Sequence, residues 1–384
     1  MSPDLAFVTN FCPHYRIGFF EEFERQFESS FNTKILFTDQ KEGWQEYGNF
    51  EYEVLSQIPL REHYSISPIV FKKLWQYDPD IIVSGPVERF AAHASYLYAR
   101  ITGTPFVLWT GEWNLPKTIP RTLTFPLIKR IYDGADSFAV YGPHIGDYLT
   151  DLGVDGNRIY NAWNTTDVEF FKATEPIHGE KLRKQLGIPA ESPVVLFVGR
   201  HVKEKGLEYL IDAFRQTAGK IDSKPYLLLV GDGQRRTDLK QRSSDLDNIL
   251  FPGYVDNKNL RPYYGLADVF VLPSIQTEVF REPWGLVVTE AMASGTPVIT
   301  SSSVGIAAAG VVQDSKTGYI VPERNVSVLA DRIQRLLTEE GLRSEMGQTA
   351  VEVISKYDYE RMVDGFEKAV DHAISGSEYN LTHR

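Results

Sequence analysis

Residues 195–214, VLFVGRHVKEKGLEYLIDAF, decide the fold class of this chain of 384 residues. A short apolar run ends at Gly199, a polar loop follows, and apolar positions then recur with the spacing of a helix. A buried parallel strand, a loop and an amphipathic helix give a sequence of this kind. The stretch therefore predicts one strand–loop–helix step of a parallel α/β sheet.

Similar apolar runs recur along the chain, separated by segments of helical length. Those of the first half are LAFVT (5–9), KILFT (34–38), DIIVSG (80–85), PFVLWT (105–110) and SFAVYG (137–142). The pattern restarts with VVLFVG (194–199), YLLLVG (226–231), NILFPG (248–253), DVFVLP (268–273) and PVITSS (297–302). We expect two doubly wound α/β domains, 1–170 and 171–356, because turn-prone sequence fills 161–192. The two domains are expected to face each other across a cleft, so that the carboxyl ends of both sheets supply the ligand site.

Composition narrows the class of protein. The chain is 42% hydrophobic and 24% charged with a net charge of −11, which predicts a globular protein and no general affinity for nucleic acid. Cys12 is the only cysteine, so neither an intrachain disulfide nor a cysteine metal cluster is expected. The histidines show no spacing of the HExxH type, so the sequence does not predict a metal site. With no signal-peptide pattern and no apolar segment of about 20 residues, we expect a cytoplasmic protein.

The loop after the 194–199 run carries a candidate phosphate site. Gly199 allows close backbone approach, Arg200 offers a fork of donors, and Lys205 offers a mobile positive charge. This combination suits a diphosphate, although two solvated loop cations would have the same sequence. Tyr254, at the end of FPGY (251–254), is a candidate to frame a nucleobase beside the same strand ends.

The stretch REPWGLVVTEAMASGTPV (281–298) places two carboxylates, Glu282 and Glu290, among apolar residues. A helix is predicted to begin near Trp284 or Gly285 and to end at Gly295. Its amino end can hold phosphate, and each carboxylate can accept hydrogen bonds from hydroxyl groups. A helix-start acid and an exposed helix residue are the alternatives, but the apolar neighbours of Glu290 disfavour exposure. A sugar-bearing ligand would give a buried carboxylate its partner.

Together these stretches resemble the family-four glycosyltransferases, which are retaining enzymes with the GT-B fold of two Rossmann-like domains. The resemblance is carried, in the order of the family, by FVGRHVKEKGLEYLIDAF, LVGDG, FPGYV, YYGLADVFVLPS, EPWGLVVTEAMASGTPVITSSSVG and TGYIVP. It is dense over 194–337 and loose in the first half.

The resemblance implies a role for each matching residue. Arg200 and Lys205 would hold the donor diphosphate, Glu282 would contact the hydroxyls of the donor sugar, and Glu290 would contact the ribose. The residues whose backbone would line the sugar and phosphate pocket are Phe280, Arg281, Trp284, Gly285 and Leu286.

Two further segments match the family. Asn164 and Asp167 resemble its interdomain N-x-x-D segment. The helix predicted over about 357–384 resembles one that returns to the first domain, which implies that this domain is discontinuous in sequence.

The first half departs from the family where many members carry a histidine near the donor sugar. The corresponding region reads LWTGEWN (108–114), and its polar candidate is Glu112. Glu112 is a candidate to orient the sugar, to bind the acceptor hydroxyl or to act as a base; a loop carboxylate without function is the alternative. In NFCPHYRIGFF (10–20) the family's double glycine is missing. Gly18 remains a candidate for close approach to phosphate, and Arg16 or His14 for facing the acceptor.

The resemblance implies transfer of a hexose from a nucleotide diphosphate sugar to a glycan or lipid-linked hydroxyl with retention. UDP is favoured as the nucleotide, and no other cofactor is required. The alternatives are a nucleotide-sugar epimerase of the same fold and a non-catalytic nucleotide-sugar-binding partner subunit. The oligomeric state is not predicted.

Two segments raise the question of membrane contact at the inner face of the membrane. Residues 41–77 are rich in aromatic side chains, namely Trp44, Tyr47, Phe50, Tyr52, Tyr64, Phe71 and Trp75. Residues 117–130 place basic side chains among apolar ones, namely Lys117, Arg121, Lys129 and Arg130. Two interpretations fit these segments. They contact a lipid surface peripherally, or they include a core helix with a solvated basic face.

Overall fold

Strands and helices alternate along this protein in a computed structural model that describes residues 2–39, 48–61, 64–172 and 176–382. Contacts within the chain divide it into two units. The first unit consists of Met1–Thr166 and Tyr359–Arg384, and the second of Asp167–Asp358. The sequence-based expectation put the two boundaries at 170 and 356.

The first unit is built on a seven-stranded sheet. Its strands lie in the order β3-β2-β1-β6-β7-β8-β9, and every neighbouring pair is parallel. The ranges are β1 (Asp4–Thr9), β2 (Asn32–Phe37), β3 (Tyr52–Val54), β6 (Ile81–Ser84), β7 (Phe106–Thr110), β8 (Ser137–Val140) and β9 (Ile159–Asn161), with β4 (Ile58–Arg61) and β5 (Tyr64–Ile66) forming a separate hairpin. The chain starts in the middle, runs to one edge and returns to the other side of β1, so the topological switch point lies between β1 and β6.

Helices cover both faces of this sheet, and their buried faces carry the apolar positions. They are α1 (Ile17–Phe27), α2 (Ile69–Tyr77), α3 (Phe90–Thr102), α4 (Ile119–Gly134) and α5 (Pro143–Asp151). The central strands are buried on both faces, as β6 and β7 show, since every one of their residues is buried. This explains why they read as continuous apolar runs.

The second unit repeats the plan with a six-stranded sheet. Its strands are β10 (Val194–Val198), β11 (Tyr226–Val230), β12 (Ile249–Gly253), β13 (Val269–Leu272), β14 (Val298–Ser301) and β15 (Gly318–Val321), in the parallel order β12-β11-β10-β13-β14-β15. The helices are α6 (Val168–Lys172), α7 (Pro176–Gln185), α8 (Leu207–Ala218), α9 (Arg236–Arg242), α10 (Arg261–Leu266), α11 (Leu286–Ala293), α12 (Gly305–Ala308), α13 (Val326–Thr338) and α14 (Glu340–Ile354). Here the switch point lies between β10 and β13.

The last helix, α15 (Tyr359–Thr382), packs on the first sheet beside α1. Phe366 contacts Phe19 with ring centroids 5.3 Å apart, and the Ser137 hydroxyl donates to the Ala369 carbonyl at 2.6 Å. Gly365 allows the helix to lie close to the end of β9, because a Cβ there would sit 2.3 Å from the Asn161 carbonyl oxygen. The C-terminal segment is thus part of the core of the first unit.

All ten apolar runs form strands, which confirms the predicted α/β class with two Rossmann-like domains. Strands β3, β4, β5, β9 and β15 are not among these runs. Of these, β3 and β9 lie at the sheet edges and are partly exposed, so no continuous apolar run marks them. None of the helices in the described part of the chain is long and apolar enough to span a bilayer.

Candidate functional site

The loop after β10 is shaped by Gly206. This residue has φ of +63°, and a Cβ on it would lie 2.3 Å from the carbonyl oxygen of Pro273, just beyond β13. The neighbouring Ile275 amide donates to the Glu204 carbonyl at 2.9 Å. Only glycine permits this approach, which brings Lys205 to the carboxyl end of β13 at the switch point of the second sheet.

Lys205 and Glu282 meet there in a buried ion pair. The Lys205 Nζ donates to Glu282 Oε2, and the Ser274 hydroxyl donates to the same oxygen at 3.2 Å. The backbone of Glu282 is fixed as well, since its carbonyl accepts from the Gly305 amide at 3.1 Å. Two residues that the sequence singled out separately therefore belong to one cluster. Removing either partner would leave an uncompensated buried charge.

Arg200, which is predicted to act with Lys205, is not part of this buried pair. Its side chain is exposed, and its nearest carboxylate is that of Glu204, with Nη2 and Oε1 3.9 Å apart. An exposed pair at that distance holds a side chain only weakly. Arg200 is therefore free to reorient toward a ligand, and its diphosphate role stays a prediction.

Glu290 lies inside α11 with only 3% of its surface exposed. The Tyr264 hydroxyl donates to Oε2 at 2.6 Å, and the Asn257 side-chain amide donates to Oε1 at 3.2 Å. Burial raises the pKa of Glu290 to about 7, and the hydrogen bonds from Tyr264 and Asn257 oppose the rise. The carboxylate that seemed to need a sugar for a partner thus already has two protein donors, neither of which was singled out in the sequence.

The segment before α11 requires glycine at 285 for packing. Gly285 caps the helix with φ of +96°, and a Cβ would lie 2.9 Å from side-chain atoms of Leu272 and Val304. Trp284 is buried, and its carbonyl accepts from the Ile306 amide at 2.9 Å. Leu286, which opens the helix, is half-buried. The helix runs from Leu286 to Ala293, slightly shorter than predicted.

A further carboxylate, that of Glu323, accepts hydrogen bonds from two loops near the start of α11. Its Oε2 accepts from the Gln276 amide at 2.5 Å and from the Ser303 hydroxyl at 2.9 Å. Glu323 was not singled out in the sequence, because it stands alone in a turn without a motif. Ser274 and Tyr264 were missed as individual residues, although YYGLADVFVLPS contains both.

Three loops at the carboxyl ends of β10, β11 and β12 are joined through their backbones. The Gly199 amide donates to the Val230 carbonyl at 3.0 Å, and the Gly231 amide donates to the Gly253 carbonyl at 2.7 Å. A Cβ on Gly231 would lie 1.9 Å from the Gly199 carbonyl oxygen, which gives a packing reason for the glycine of LVGDG. Tyr254 follows Gly253 and is exposed at this edge of the sheet.

In the first unit, Glu112 follows β7 and forms a partly buried ion pair. Arg121 at the start of α4 donates through one Nη2 to both carboxylate oxygens. Burial raises the pKa of Glu112, and the Arg121 guanidinium opposes the rise. The sequence did not foresee this pairing.

Gly18 packs against the C-terminal helix. A Cβ on it would lie 2.5 Å from the ring of Tyr359, whose hydroxyl donates to the Tyr15 carbonyl at 3.0 Å. The glycine thus has a packing function, and the approach to phosphate stays a prediction. Asn164 accepts a hydrogen bond from Arg16, while Asp167 accepts one from the Phe170 amide at 2.8 Å.

The model of the glycosyl transferases group 1 family matches residues 179–353. The lipopolysaccharide core biosynthesis glycosyltransferase LpsE of Rhizobium meliloti is 31% identical over 252 residues, which are 65% of this chain and 68% of that protein. Sulfoquinovosyl transferase SQD2 of Arabidopsis thaliana is 29% identical over 325 residues, 81% of this chain but only 60% of that protein. The chain belongs to the group 1 glycosyl transferases, which confirms the family resemblance that its motifs indicated.

Solved structures agree on the fold. HepE of Anabaena, in complex with UDP, superimposes with a TM-score of 0.77 at 19% identity, covering 96% of this chain and 99% of that one. A complex of HepE with UDP-glucose gives a TM-score of 0.73 at 19% identity, over 98% and 100% of the two chains. The predicted GT-B fold is thereby confirmed.

Proposed function

We propose that this protein is a retaining hexosyltransferase that moves a hexose from a UDP-sugar to a hydroxyl group of a glycan or lipid-linked acceptor. The observation that carries the proposal is the buried pair of Lys205 and Glu282 at the switch point of the second sheet. Doubly wound sheets bind their ligands at that point. The UDP and UDP-glucose complexes of HepE support a UDP-sugar donor, and the likeness to LpsE supports a role in glycoconjugate biosynthesis.

The donor diphosphate is assigned to Lys205 and Arg200. Lys205 is preorganised by Glu282, so its charge is already fixed when the donor arrives. Arg200 is exposed and adds its charge by reorienting. Negative charge that develops on the leaving diphosphate is stabilised by these cations, together with the backbone amides at the start of α11. Gly199 contributes by leaving room for the diphosphate to approach the backbone.

The sugar and ribose are assigned to the two carboxylates. Glu282 accepts hydrogen bonds from sugar hydroxyls, with Trp284, Gly285 and Leu286 supplying the backbone of the pocket. Glu290 accepts from the ribose, and the Tyr264 and Asn257 donors keep its two oxygens oriented. Tyr254, exposed at the end of β12, covers the nucleobase.

The transfer itself breaks the bond between the anomeric carbon and the β-phosphate oxygen. The acceptor hydroxyl attacks from the same face, its oxygen bonds to the anomeric carbon, and its proton passes to the departing phosphate oxygen. UDP is the second product. Glu112 is assigned to the acceptor hydroxyl, because a carboxylate that accepts from one arginine nitrogen keeps lone pairs for a further donor.

Peripheral contact with an anionic membrane is proposed for helix α4. Ile119, Leu123 and Leu127 follow one another at intervals of four residues and are 79%, 75% and 52% exposed. Their apolar row is therefore solvated, unlike that of a core helix. Lys117 and Arg130, both exposed and without an ion pair among the described residues, flank the row with positive charge on a chain of net charge −11. Such a surface matches an interface of anionic lipid.

The aromatic side chains of 41–77 contribute less to this surface. Trp44, Tyr47 and the side chain of Tyr64 lie outside the described residues. Phe50 is buried against Phe37, whereas Trp75 on α2 is exposed.

Sedimentation with vesicles that contain anionic lipid tests the membrane contact. We expect the chain to co-sediment at low salt and the Leu123→Glu variant to remain in the supernatant. Val279→Glu, at an exposed apolar position of the second unit, is the matched control and should bind like the parent. Equal binding by all three proteins, or no binding by any, would exclude α4 as a membrane contact.

Turnover is tested by incubating the purified chain with UDP-glucose and measuring UDP release. Slow release by the parent protein, lost in Lys205→Ala and Glu290→Ala, is expected of a transferase that uses water in place of its acceptor. Undiminished release by either variant would contradict the assigned roles.

A further inference from the structure

The first unit contains a cavity of about 130 Å³ at the carboxyl ends of β1 and β6. This is the switch point of the seven-stranded sheet, where a doubly wound sheet binds its ligand. The lining residues are Thr9, Asn10, Phe11, Pro13, Tyr15, Arg16, Phe20, Pro86, Trp109 and Tyr141, none of which is acidic.

Arg16 supplies the charge of this cavity. It is 5% exposed, and its guanidinium lies over the ring of Trp109 at 5.0 Å, with Tyr15, Phe19 and Tyr141 within 5.8 Å. One Nη donates to Asn164 Oδ1, and the other contacts the sulfur of Met362 at 3.4 Å. Over the described ranges, no carboxylate lies within 4.0 Å of Arg16.

A buried arginine is normally paired with an anion. Aromatic faces and an amide oxygen attract the cation, but they carry no charge to neutralise it. The surrounding rings therefore fix the guanidinium in place and leave its charge uncompensated within the described part of the first unit.

Trp109 gives an independent indication of a missing hydrogen-bond acceptor. Its side chain is 6% exposed, and within the described residues its indole Nε1–H has no hydrogen-bond partner. A buried donor left unpaired costs about 1–3 kcal/mol. Trp109 and Arg16 line the same cavity, and both can only donate.

We propose that this cavity binds an anionic group of the acceptor, a carboxylate or a phosphate ester, through Arg16 and Trp109. The assignment to the acceptor rests on the proposed transferase function, in which the phosphate-binding cations Arg200 and Lys205 belong to the second unit. The volume suits one charged substituent with part of a ring, since an engineered cavity of about 150 Å³ holds a single benzene. The acceptor class is thus a sugar acid or a sugar or lipid phosphate, rather than a neutral glycan.

Calorimetric titration of the full chain tests this assignment with glucose 6-phosphate, glucuronate, neutral glucose and UDP as probes. We expect one or both anionic sugars to bind and glucose not to bind; which of the two binds identifies the anion. Arg16→Gln should weaken that binding about tenfold or more, as loss of a charged hydrogen bond does. UDP affinity should not change in this variant.

Two variants separate binding from folding. Trp109→Phe keeps an aromatic ring at this position but removes the five-membered ring with its Nε1–H, so it should weaken binding of the anionic sugar several-fold. An unchanged affinity for UDP in the same variant shows that the chain is still folded. Arg158→Gln is the control, because Arg158 lies over the Phe138 ring and donates to the Ala135 carbonyl elsewhere in the same unit. It should bind like the parent.

Other outcomes overturn the assignment. Equal binding of the anionic sugars to the parent and the Arg16 and Trp109 variants, or no binding of either anion, would exclude the cavity as an anion site. Weaker UDP binding in Arg16→Gln would assign the cavity to the donor phosphate instead. If the anion site is excluded in either of the first two ways but UDP still binds, the proposed transferase function is not contradicted. A chain that binds neither UDP nor UDP-glucose would contradict the transferase function itself.

Discussion

Lys205 and Glu282 lie 77 positions apart in the sequence and form a buried ion pair at the switch point of the second sheet. Gly206 makes the pair possible by letting the loop after β10 touch the end of β13. The pair fixes a positive charge where a doubly wound sheet receives its ligand. The donor site proposed here would therefore depend on an ion pair that forms within the protein before any ligand binds.

Removing one member of this pair should cost stability as well as function. Lys205→Met leaves Glu282 buried and uncompensated, so we expect a loss of about 3–5 kcal/mol in the free energy of unfolding. The double variant Lys205→Met with Glu282→Gln removes both charges and should recover most of the lost stability without recovering UDP-glucose turnover. Denaturant unfolding and UDP release measure the two quantities. Equal stability of the single variant and the parent would show that the pair is not buried in solution.

Glu290 should make stability depend on pH. Its pKa is raised from 4.5 to about 7, so the folded chain keeps a proton that the unfolded chain loses above pH 4.5. The free energy of unfolding therefore falls as pH rises from about 4.5 to about 7, by an amount on the order of 3 kcal/mol. Glu290→Gln cannot ionise, so its melting temperature relative to the parent should rise between pH 5 and pH 8. A constant difference across this range would contradict the raised pKa.

Gly206 should not tolerate a side chain. Gly206→Ala places a Cβ 2.3 Å from the Pro273 carbonyl oxygen at φ of +63°, so the loop must shift and Lys205 with it. We expect a loss of about 2 kcal/mol or more in stability together with weaker UDP binding. Gly219→Ala is the matched control, since φ is −79° and no atom lies within 4 Å of the added carbon. Equal melting temperatures for Gly206→Ala and Gly219→Ala would contradict this close approach.

Glu112 should affect the acceptor step and not donor binding. Glu112→Gln keeps the shape of the side chain but weakens its contact with Arg121 and its ability to accept from a hydroxyl. We expect a lower rate of sugar transfer with an unchanged Kd for UDP. Glu53→Gln, which breaks a half-exposed ion pair with Lys73 in the same unit, should leave both values unchanged. A weaker Kd for UDP in Glu112→Gln would assign this carboxylate to the donor.

The fold could be predicted from the sequence because the buried parallel strands are continuous apolar runs. The sequence was also sufficient to single out Lys205, because it follows a strand in a glycine-containing loop, and Glu282 and Glu290, because they stand among apolar residues. The order of the motifs along the chain does not, however, predict which side chains contact each other. The pairing of Lys205 with Glu282 depends on β10 and β13 being neighbours, and those strands are separated by two others in sequence.

Partners that come from other elements could not be predicted. Tyr264 reaches Glu290 from α10, and Arg121 reaches Glu112 from α4, each across a contact that only the packed structure defines. Gly18 also has a neighbour that could not be predicted. The ring of Tyr359, from the far end of the chain, packs beside this glycine of α1. Its predicted approach to phosphate is a separate question and stays a prediction.

The thermal shift produced by UDP-glucose, compared between the parent protein and the double variant Lys205→Met with Glu282→Gln, tests the donor site. A ligand that binds only the folded state raises the melting temperature, and the rise grows with the ratio of ligand concentration to Kd. We predict a rise for the parent and none for the double variant, whose own melting temperature is close to that of the parent. An equal rise in both proteins, or no rise in the parent with UDP-glucose, would contradict a donor site built on Lys205 and Glu282.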